Sequence, residues 1–248
     1  MLTDSIRAAA QTALTFLYPD VCQHCYNAAA TSAEGYVCEG CWRNVRFIVP
    51  PMCERCGLPF EGDISDVFEC ANCRELELHF SRARSAVAAK GMVLDIIHRW
   101  KYSQALWFEP FLAKLLIREA LPALKEETWD CIVPVPLHSR KEAEREFNQA
   151  EHLAQHLAKA TGIAARSDLV RRVTPTRTQT ALSRKERAEN MSRAFAAGPN
   201  APFARGKRVV LIDDVLTTGA TTSACAQVLK ACGAGDVCVW TVARGLLN

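Results

Sequence analysis

The sequence predicts an α/β fold in which a parallel sheet is flanked by helices and is preceded by a small cysteine-rich module. Short runs of β-favouring apolar residues, such as residues 209–212, alternate with amphipathic stretches of helical length, such as residues 147–160. Four Cys-x-x-Cys pairs all lie before His79. A chain of 248 residues can hold one such sheet and one small module, and we expect these to comprise residues 81–248 and 1–80.

The composition is that of a soluble globular protein, with 49% hydrophobic residues, 23% charged residues and a formal net charge of +3. No run of about eighteen apolar residues exists, so we expect no membrane insertion. Residues 6–17 predict an N-terminal amphipathic helix, which is too short and too rich in Ala, Thr and Gln for an export signal. We therefore expect a cytoplasmic protein.

The most informative stretch is a hydrophobic strand followed by acids, threonines and a glycine. Residues 209–212 predict a strand buried on both faces, which Asp213 and Asp214 end. A helix is expected at about residues 221–232, and its first N–H groups and its dipole favour an anion. Gly219 allows close approach of the backbone, and threonine hydroxyls can donate hydrogen bonds. The predicted phosphate site comprises Thr217, Thr218, Gly219, Ala220 and Thr221.

The two acids extend this prediction from a phosphate to a sugar phosphate. Asp213 and Asp214 lie where open α/β sheets bind ligands, and they can accept hydrogen bonds from sugar hydroxyls or hold a hydrated Mg²⁺. The alternative is an acidic turn followed by a threonine helix cap. The loop contains no Lys, so it is not a Walker-type P-loop. As a whole, the stretch resembles the 5-phosphoribosyl 1-diphosphate (PRPP) signature of type I phosphoribosyltransferases.

Eight of the twelve cysteines predict two structural zinc sites, because two Cys-x-x-Cys pairs can complete one tetrahedral Cys₄ site. Sequential pairing closes the shorter loops, and a cross-braced pairing of the first pair with the third is the alternative. His24 and His79 are possible substitute ligands. Disulfides would require an oxidising compartment. Sequential pairing gives one site of Cys22, Cys25, Cys38 and Cys41 and another of Cys53, Cys56, Cys70 and Cys73.

Residues 129–138 predict a second buried strand, whose far end leaves the sheet because its two prolines cannot donate to a ladder. In the phosphoribosyltransferases that the signature resembles, the strand beside the signature strand supplies a diphosphate-binding loop. The resemblance therefore implies this role for Leu137, His138 and Arg140. His138 could instead be an ordinary loop residue.

Residues 171–193 carry seven Arg or Lys and two Glu, which predicts either contact with a polyanion or a solvated loop surface. The segment is long for a loop and rich in anion-binding side chains, as in a mobile lid over a charged substrate. The candidate lid residues are Gln179, Arg184 and Arg187. A disordered linker is the alternative, although Phe195 predicts that the far end of the segment is packed.

Four blocks of the chain are similar to the ComF family of competence and GntX-like proteins. They are the cysteine pairs, Val-Pro-Val-Pro-Leu-His at residues 133–138 with Phe-Asn-Gln-Ala-Glu at 147–151, the segment at 171–187 with Asn190, and the PRPP signature. The resemblance implies a double zinc ribbon joined to a phosphoribosyltransferase domain, and a role in natural transformation, DNA uptake or the use of DNA as a nutrient. Glu146 is a departure, since the family usually has Gly before Phe-Asn-Gln.

The resemblance leaves two classes of function open. In the first, an Mg²⁺-dependent phosphoribosyltransferase of DNA uptake or nucleotide salvage, Asp213 and Asp214 are the catalytic residues. The sequence does not identify the group that accepts the phosphoribosyl unit. Thr217 occupies the position at which some phosphoribosyltransferases have an acid near the incoming base. In the second, a non-catalytic protein binds single-stranded DNA or DNA-uptake proteins and uses PRPP only as a ligand. Its stacking platforms would be Tyr26, Tyr36, Trp42 and Phe47.

Overall fold

The computed structural model describes residues 20–62, 68–138, 146–174 and 193–246. The predicted N-terminal helix lies outside these residues. So do Arg140 of the predicted diphosphate loop and the three candidate lid residues, Gln179, Arg184 and Arg187.

Parallel strands form the central sheet. In chain order, the strands are β1 (Arg82–Ala88), β2 (Cys131–Pro134), β3 (Val170–Arg172), β4 (Phe195–Ala197), β5 (Arg208–Leu216) and β6 (Asp236–Arg244). The sheet has the order β1–β6–β5–β2, and all of its neighbouring strands are parallel. β3 and β4 form a separate antiparallel ribbon. The predicted class, a parallel sheet with helices and a cysteine-rich N-terminal region, is confirmed.

The α-helices of the described residues are α1 (Glu39–Trp42), α2 (Ala71–Glu75), α3 (Met92–Tyr102), α4 (Glu109–Lys125), α5 (Gln149–Thr161) and α6 (Ala220–Ala231). α4 and α5 pack on one face of the sheet and α6 on the other, whereas α1 and α2 lie in the cysteine-rich region. Successive side chains of a strand point to opposite faces. Accordingly, Val210 and Ile212 join a hydrophobic cluster with α4 and α5, whereas Val209 and Leu211 join one with α6. None of the helices in the described part of the chain is both long and apolar enough to cross a bilayer.

Two element ends differ from the sequence prediction, and a third agrees with it. β5 does not end at the two acids but continues to Leu216, because its ladder with β6 extends to the pair Leu216 and Arg244. The sequence predicts a helix over residues 111–120 followed by Pro122, but α4 continues through Pro122 to Lys125, and the burial of Leu124 favours this extension. The strand expected at residues 129–138 is ordered as sheet only over β2, as its prolines predict. The extension of β5 places both acids on a rigid strand.

Candidate functional site

A cavity of about 360 Å³ lies between the carboxyl end of β5, helix α3 and the start of α5. Asp213 and Asp214 line it together with Thr217 and Thr221. Small-molecule sites commonly have volumes of about 300–1,000 Å³. The two acids and two residues of the threonine loop (Thr217–Thr221) therefore share one cavity of suitable size, whereas Thr218, Gly219 and Ala220 are not among its lining residues.

The threonine loop is held in a defined shape at the start of α6. Gly219 has a φ of 87°, in the left-handed region that favours glycine. The hydroxyl of Thr222 donates to the carbonyl of Gly219 at 3.1 Å, and the N–H of Ala220 donates to Oγ1 of Thr218 at 3.4 Å. A helix N-terminus with hydroxyl groups around it is suited to an anion.

The acid pair is compensated by a lysine from another element. Nζ of Lys101 lies 2.7 Å from Oδ2 of Asp214, and Asp214 is only 6% exposed. The N–H of Asp214 donates to Oδ1 of Asp213 at 2.9 Å. Burial, reinforced by repulsion from Asp214, raises the pKa of Asp213 to about 7. Burial disfavours the charge of Lys101, but attraction to Asp214 outweighs it and raises the pKa of Lys101.

Two cations on the cavity wall were not assigned to the site from the sequence. At Lys101 the sequence alone indicates a cation at the C-terminus of a helix, and no local pattern shows that the last turn of α3 faces β5. Arg172 was recognised only as part of the basic segment, yet β3 places it on the wall of the cavity. Burial lowers the pKa of Arg172. The cavity therefore presents positive charge from α3 and from β3 beside the two acids.

The predicted diphosphate loop leaves β2 at the cavity. β2 pairs with β5, as the resemblance implies, and the N–H of Val135 donates to the carbonyl of Ile212 at 2.8 Å. Leu137 then lines the cavity, and the described chain continues to His138. Asn148 caps α5 by accepting from the N–H of Ala150 at 3.1 Å, and its Nδ2 donates to the carbonyl of Val135 at 3.2 Å. The start of α5 is thereby tied to this loop.

The departure at Glu146 is visible in the backbone. Glu146 has a φ of 66°, which an L side chain adopts at a cost of about 1–2 kcal/mol. The Gly that the family usually has at this position would carry no such strain. Glu146 therefore adopts a backbone conformation that favours glycine, although it carries a side chain.

The eight paired cysteines form two separate clusters in the sequential order, which confirms the predicted pairing. Sγ–Sγ distances are 3.7 Å for Cys22 to Cys41 and 3.7 Å for Cys25 to Cys38. In the second cluster they are 3.8 Å for Cys53 to Cys73 and 3.6 Å for Cys56 to Cys70. Tetrahedral Zn²⁺ with Zn–S bonds of about 2.3 Å requires sulfur atoms about 3.8 Å apart. Both clusters fit zinc with four thiolates, without His24 or His79.

The aromatic residues proposed as stacking platforms are mostly occupied by packing. The ring of Trp42 contacts Phe111 edge-on at 5.3 Å, and Arg118 covers Phe47 at 3.8 Å. Tyr36 is partly buried, whereas Tyr26 is 62% exposed. Of the four predicted platforms, only Tyr26 presents most of its surface to solvent.

Comparison with known proteins agrees with these observations. Residues 13–76 match the family model of the double zinc ribbon domain. The chain is 30% identical over 226 residues to competence protein F of Haemophilus influenzae, covering 90% of this chain and 96% of that protein. It is 36% identical over 231 residues to DNA utilization protein YhgH of Salmonella typhi, covering 92% of this chain and 98% of that protein.

A solved adenine phosphoribosyltransferase of Saccharomyces cerevisiae also aligns with part of the chain. The alignment covers 56% of this chain and 69% of that chain, with 22% identity and a TM-score of 0.34. A TM-score at this level transfers no function.

Proposed function

Because the chain belongs to the ComF family of competence and DNA-utilization proteins, we propose that it binds PRPP in the cavity at the end of β5. The observation that carries this proposal is the shared cavity of Asp213, Asp214, Thr217 and Thr221. One wall offers a helix N-terminus and hydroxyl groups to a phosphate, and the other offers two carboxylates to a pentose. This pairing of anion and sugar-hydroxyl chemistry is what a phosphorylated ribose requires.

Each part of PRPP has a complementary group. The 5-phosphate is assigned to the loop from Thr217 to Thr221 and the ribose hydroxyls to Asp213 and Asp214. The diphosphate is assigned to the loop of Leu137 and His138, beside the cations Lys101 and Arg172. Both cations lie on the cavity wall, which supports the binding of a ligand with several negative charges.

Magnesium fits this site through the acids and the ligand together. Mg²⁺ is usually held by one or two carboxylates with water and substrate phosphates. Asp213 and Asp214 would hold it here, where it would neutralise charge on the diphosphate. Oδ2 of Asp214 is paired with Lys101 and Oδ1 of Asp213 accepts from the N–H of Asp214, so we assign Mg²⁺ to the other oxygen of each carboxylate.

The reaction best suited to this site is the transfer of the phosphoribosyl group. The bond from C1 to the diphosphate breaks and C1 acquires positive character, so stabilisation of the departing diphosphate is the main task. Lys101 and Arg172 contribute positive charge towards that task, and the acids orient the ribose. An acceptor group with a lone pair forms the new bond at C1. Zinc sites of four thiolates require reduced cysteines, which supports a cytoplasmic location.

Calorimetry with PRPP, in the presence and absence of Mg²⁺, tests the binding proposal. We expect binding by the wild type, and loss of binding by Asp213→Asn/Asp214→Asn. Asp130→Asn is a matched control, because Asp130 pairs with Lys207 away from the cavity. Absence of wild-type binding, or equal binding by the double variant, would contradict the proposal. Turnover is tested separately by release of diphosphate from PRPP with a panel of bases and amines.

A second candidate function is the binding of single-stranded DNA, since two relatives are named for competence and for DNA utilization. Tyr102 is 70% exposed and Trp107 is 42% exposed, and Tyr102 ends the helix that carries Lys101. Exposed aromatic rings on which bases can stack are typical of single-strand sites. Affinity measured over a salt series tests this function, since binding through phosphates weakens steeply with salt. Tyr102→Ala should weaken the binding of single-stranded DNA. Tyr26→Ala, which removes the exposed ring of the zinc ribbon, is the comparison.

A further inference from the structure

The second zinc cluster contacts the threonine loop through a buried arginine. Arg244, the last residue of β6, is fully buried. Its guanidinium donates to the carbonyls of Leu216 at 2.9 Å and Thr217 at 2.5 Å. The same group donates to the carbonyl of Cys56 at 3.2 Å and to Sγ of Cys56 at 3.3 Å. One side chain therefore links a zinc ligand to the backbone of the loop.

An asparagine within the second cluster makes an independent contact with the next peptide of the loop. Asn72 lies between Cys70 and Cys73 and is 1% exposed. Its Nδ2 donates to the carbonyl of Thr218 at 3.0 Å. The chain after this cluster continues the contact, because Leu78 and Phe80 pack beneath Gly219. The hydroxyl of Ser223 in α6 accepts from the N–H of His79 at 3.0 Å.

These contacts fix the direction in which the loop presents its N–H groups. In a planar trans peptide, the carbonyl and the following N–H point in opposite directions. The carbonyls of Leu216, Thr217 and Thr218 are directed towards Arg244 and Asn72. The N–H groups that follow them are therefore directed away from the zinc cluster. An N–H group in this orientation can donate to a phosphate that lies on the side of the loop opposite the zinc cluster.

The first zinc cluster rests on a different part of the protein. Arg99 of α3 donates to the carbonyl of Gln23 at 2.6 Å. A Cβ at Gly35 would lie only 2.6 Å from the backbone nitrogen of Phe111, so this ribbon packs directly on α4. The two clusters therefore support different elements: helices in the first case, and the threonine loop in the second.

We propose that the zinc site of Cys53, Cys56, Cys70 and Cys73 positions the threonine loop through Asn72 and Arg244. The two zinc sites would then have unequal effects on sugar-phosphate binding. The inference rests on the proposed function, since PRPP is the ligand by which the loop is assayed. Asn72 and Arg244 are positioning residues in this scheme. Neither needs to contact the ligand.

The decisive experiment compares Asn72→Ala with Asn44→Ala in the full-length protein. Nδ2 of Asn44 donates to the carbonyl of Gly40 at 3.1 Å within the first ribbon, so Asn44→Ala removes an exposed amide hydrogen bond that lies within that ribbon. PRPP affinity is measured by calorimetry, zinc content by elemental analysis and Tm by calorimetric unfolding. We expect Asn72→Ala to weaken PRPP binding about tenfold, the effect of one positioning hydrogen bond, with two zinc ions retained. Asn44→Ala should leave affinity unchanged.

The paired cysteine variants extend the test to the metal. Cys22→Ser/Cys38→Ser should lose one zinc ion and weaken PRPP binding much less than Cys53→Ser/Cys70→Ser, which should lose one zinc ion and PRPP binding together, because the first ribbon packs on α3 and α4 rather than on the threonine loop. Unchanged affinity in Asn72→Ala, with the wild type binding PRPP, would overturn this inference and leave the proposed function standing. Absence of PRPP binding by the wild type would overturn both.

Discussion

The ammonium of Lys101 lies 2.7 Å from Oδ2 of Asp214, so that an acid of β5 and the last turn of α3 form one ion pair on the cavity wall. Both side chains are largely buried, with 16% of the lysine and 9% of the aspartate side chain exposed. This ion pair therefore links helix α3 to strand β5 of the sheet. Its loss should affect stability before any ligand is added.

Lys101→Met should lower the free energy of unfolding by about 3 kcal/mol, because it leaves a buried carboxylate without its cation. Lys207→Met is the matched control. Nζ of Lys207 lies 3.0 Å from Asp130, but these side chains are 40% and 32% exposed, so its cost should stay below about 1 kcal/mol. Urea denaturation at pH 7 measures both. Equal losses would contradict the assigned role of Lys101, and Lys101→Met/Asp214→Asn should recover part of the stability.

The raised pKa of Asp213 predicts a specific pH dependence. Its pKa is about 7 in the folded protein and about 3.9 when unfolded, so the folded state binds this proton more tightly. Ionisation of Asp213 therefore costs stability as the pH rises from about 4 to 7. Asp213→Asn remains neutral. It should be more stable than the wild type by about 1–3 kcal/mol at pH 8, and the difference should vanish near pH 4.

Asp130→Asn should change the stability of the protein in the opposite direction from Asp213→Asn. The N–H of Arg208 and the ammonium of Lys207 lower the pKa of Asp130, so its charge stabilises the folded state. Its substitution should cost stability at neutral pH, and the deficit should shrink as the pH falls through that lowered pKa. Thermal unfolding from pH 3 to 8 measures both variants, and the same sign for both at pH 8 would refute the interpretation of Asp213.

Features set by neighbouring residues could be predicted from the sequence, and features set by packing could not. The zinc pairing follows from cysteine spacing, and the threonine loop follows from a contiguous strand, loop and helix. The contacts of Lys101, Asn72 and Arg244 join distant segments, and no periodicity encodes them. For the same reason β5 was predicted too short: its length depends on the ladder with β6.

Glu146→Gly should stabilise the protein by about 0.5–1 kcal/mol, because glycine adopts the φ of 66° without steric strain. The gain is smaller than the strain itself, since glycine also increases the entropy of the unfolded chain. Glu151→Gly is the control: this residue lies within α5, where glycine should cost about 0.5–1 kcal/mol. The Tm of the two variants should shift in opposite directions. A fall in Tm for Glu146→Gly would show that the side chain makes a compensating interaction.

Gly219→Ala separates the backbone requirement of the loop from simple crowding. An added Cβ would meet Phe80 at 3.5 Å and Leu78 at 3.6 Å, which are ordinary contacts, so the cost arises from the φ of 87°. Gly206→Ala is matched, with a φ of 70° and nothing within 4 Å of the added Cβ. Both variants should lose about 1–2 kcal/mol of stability.

Only Gly219→Ala should also weaken PRPP binding, by more than about tenfold, because a shift in φ redirects the N–H groups at the start of α6. Calorimetric titration of both variants with PRPP, at a temperature well below either Tm, separates the two effects. Equal PRPP affinity in Gly219→Ala and Gly206→Ala would mean that the 5-phosphate does not bind at the threonine loop. The sugar phosphate would then have to be assigned to another part of the cavity, with the cations of α3 and β3 as its nearest alternative anchors.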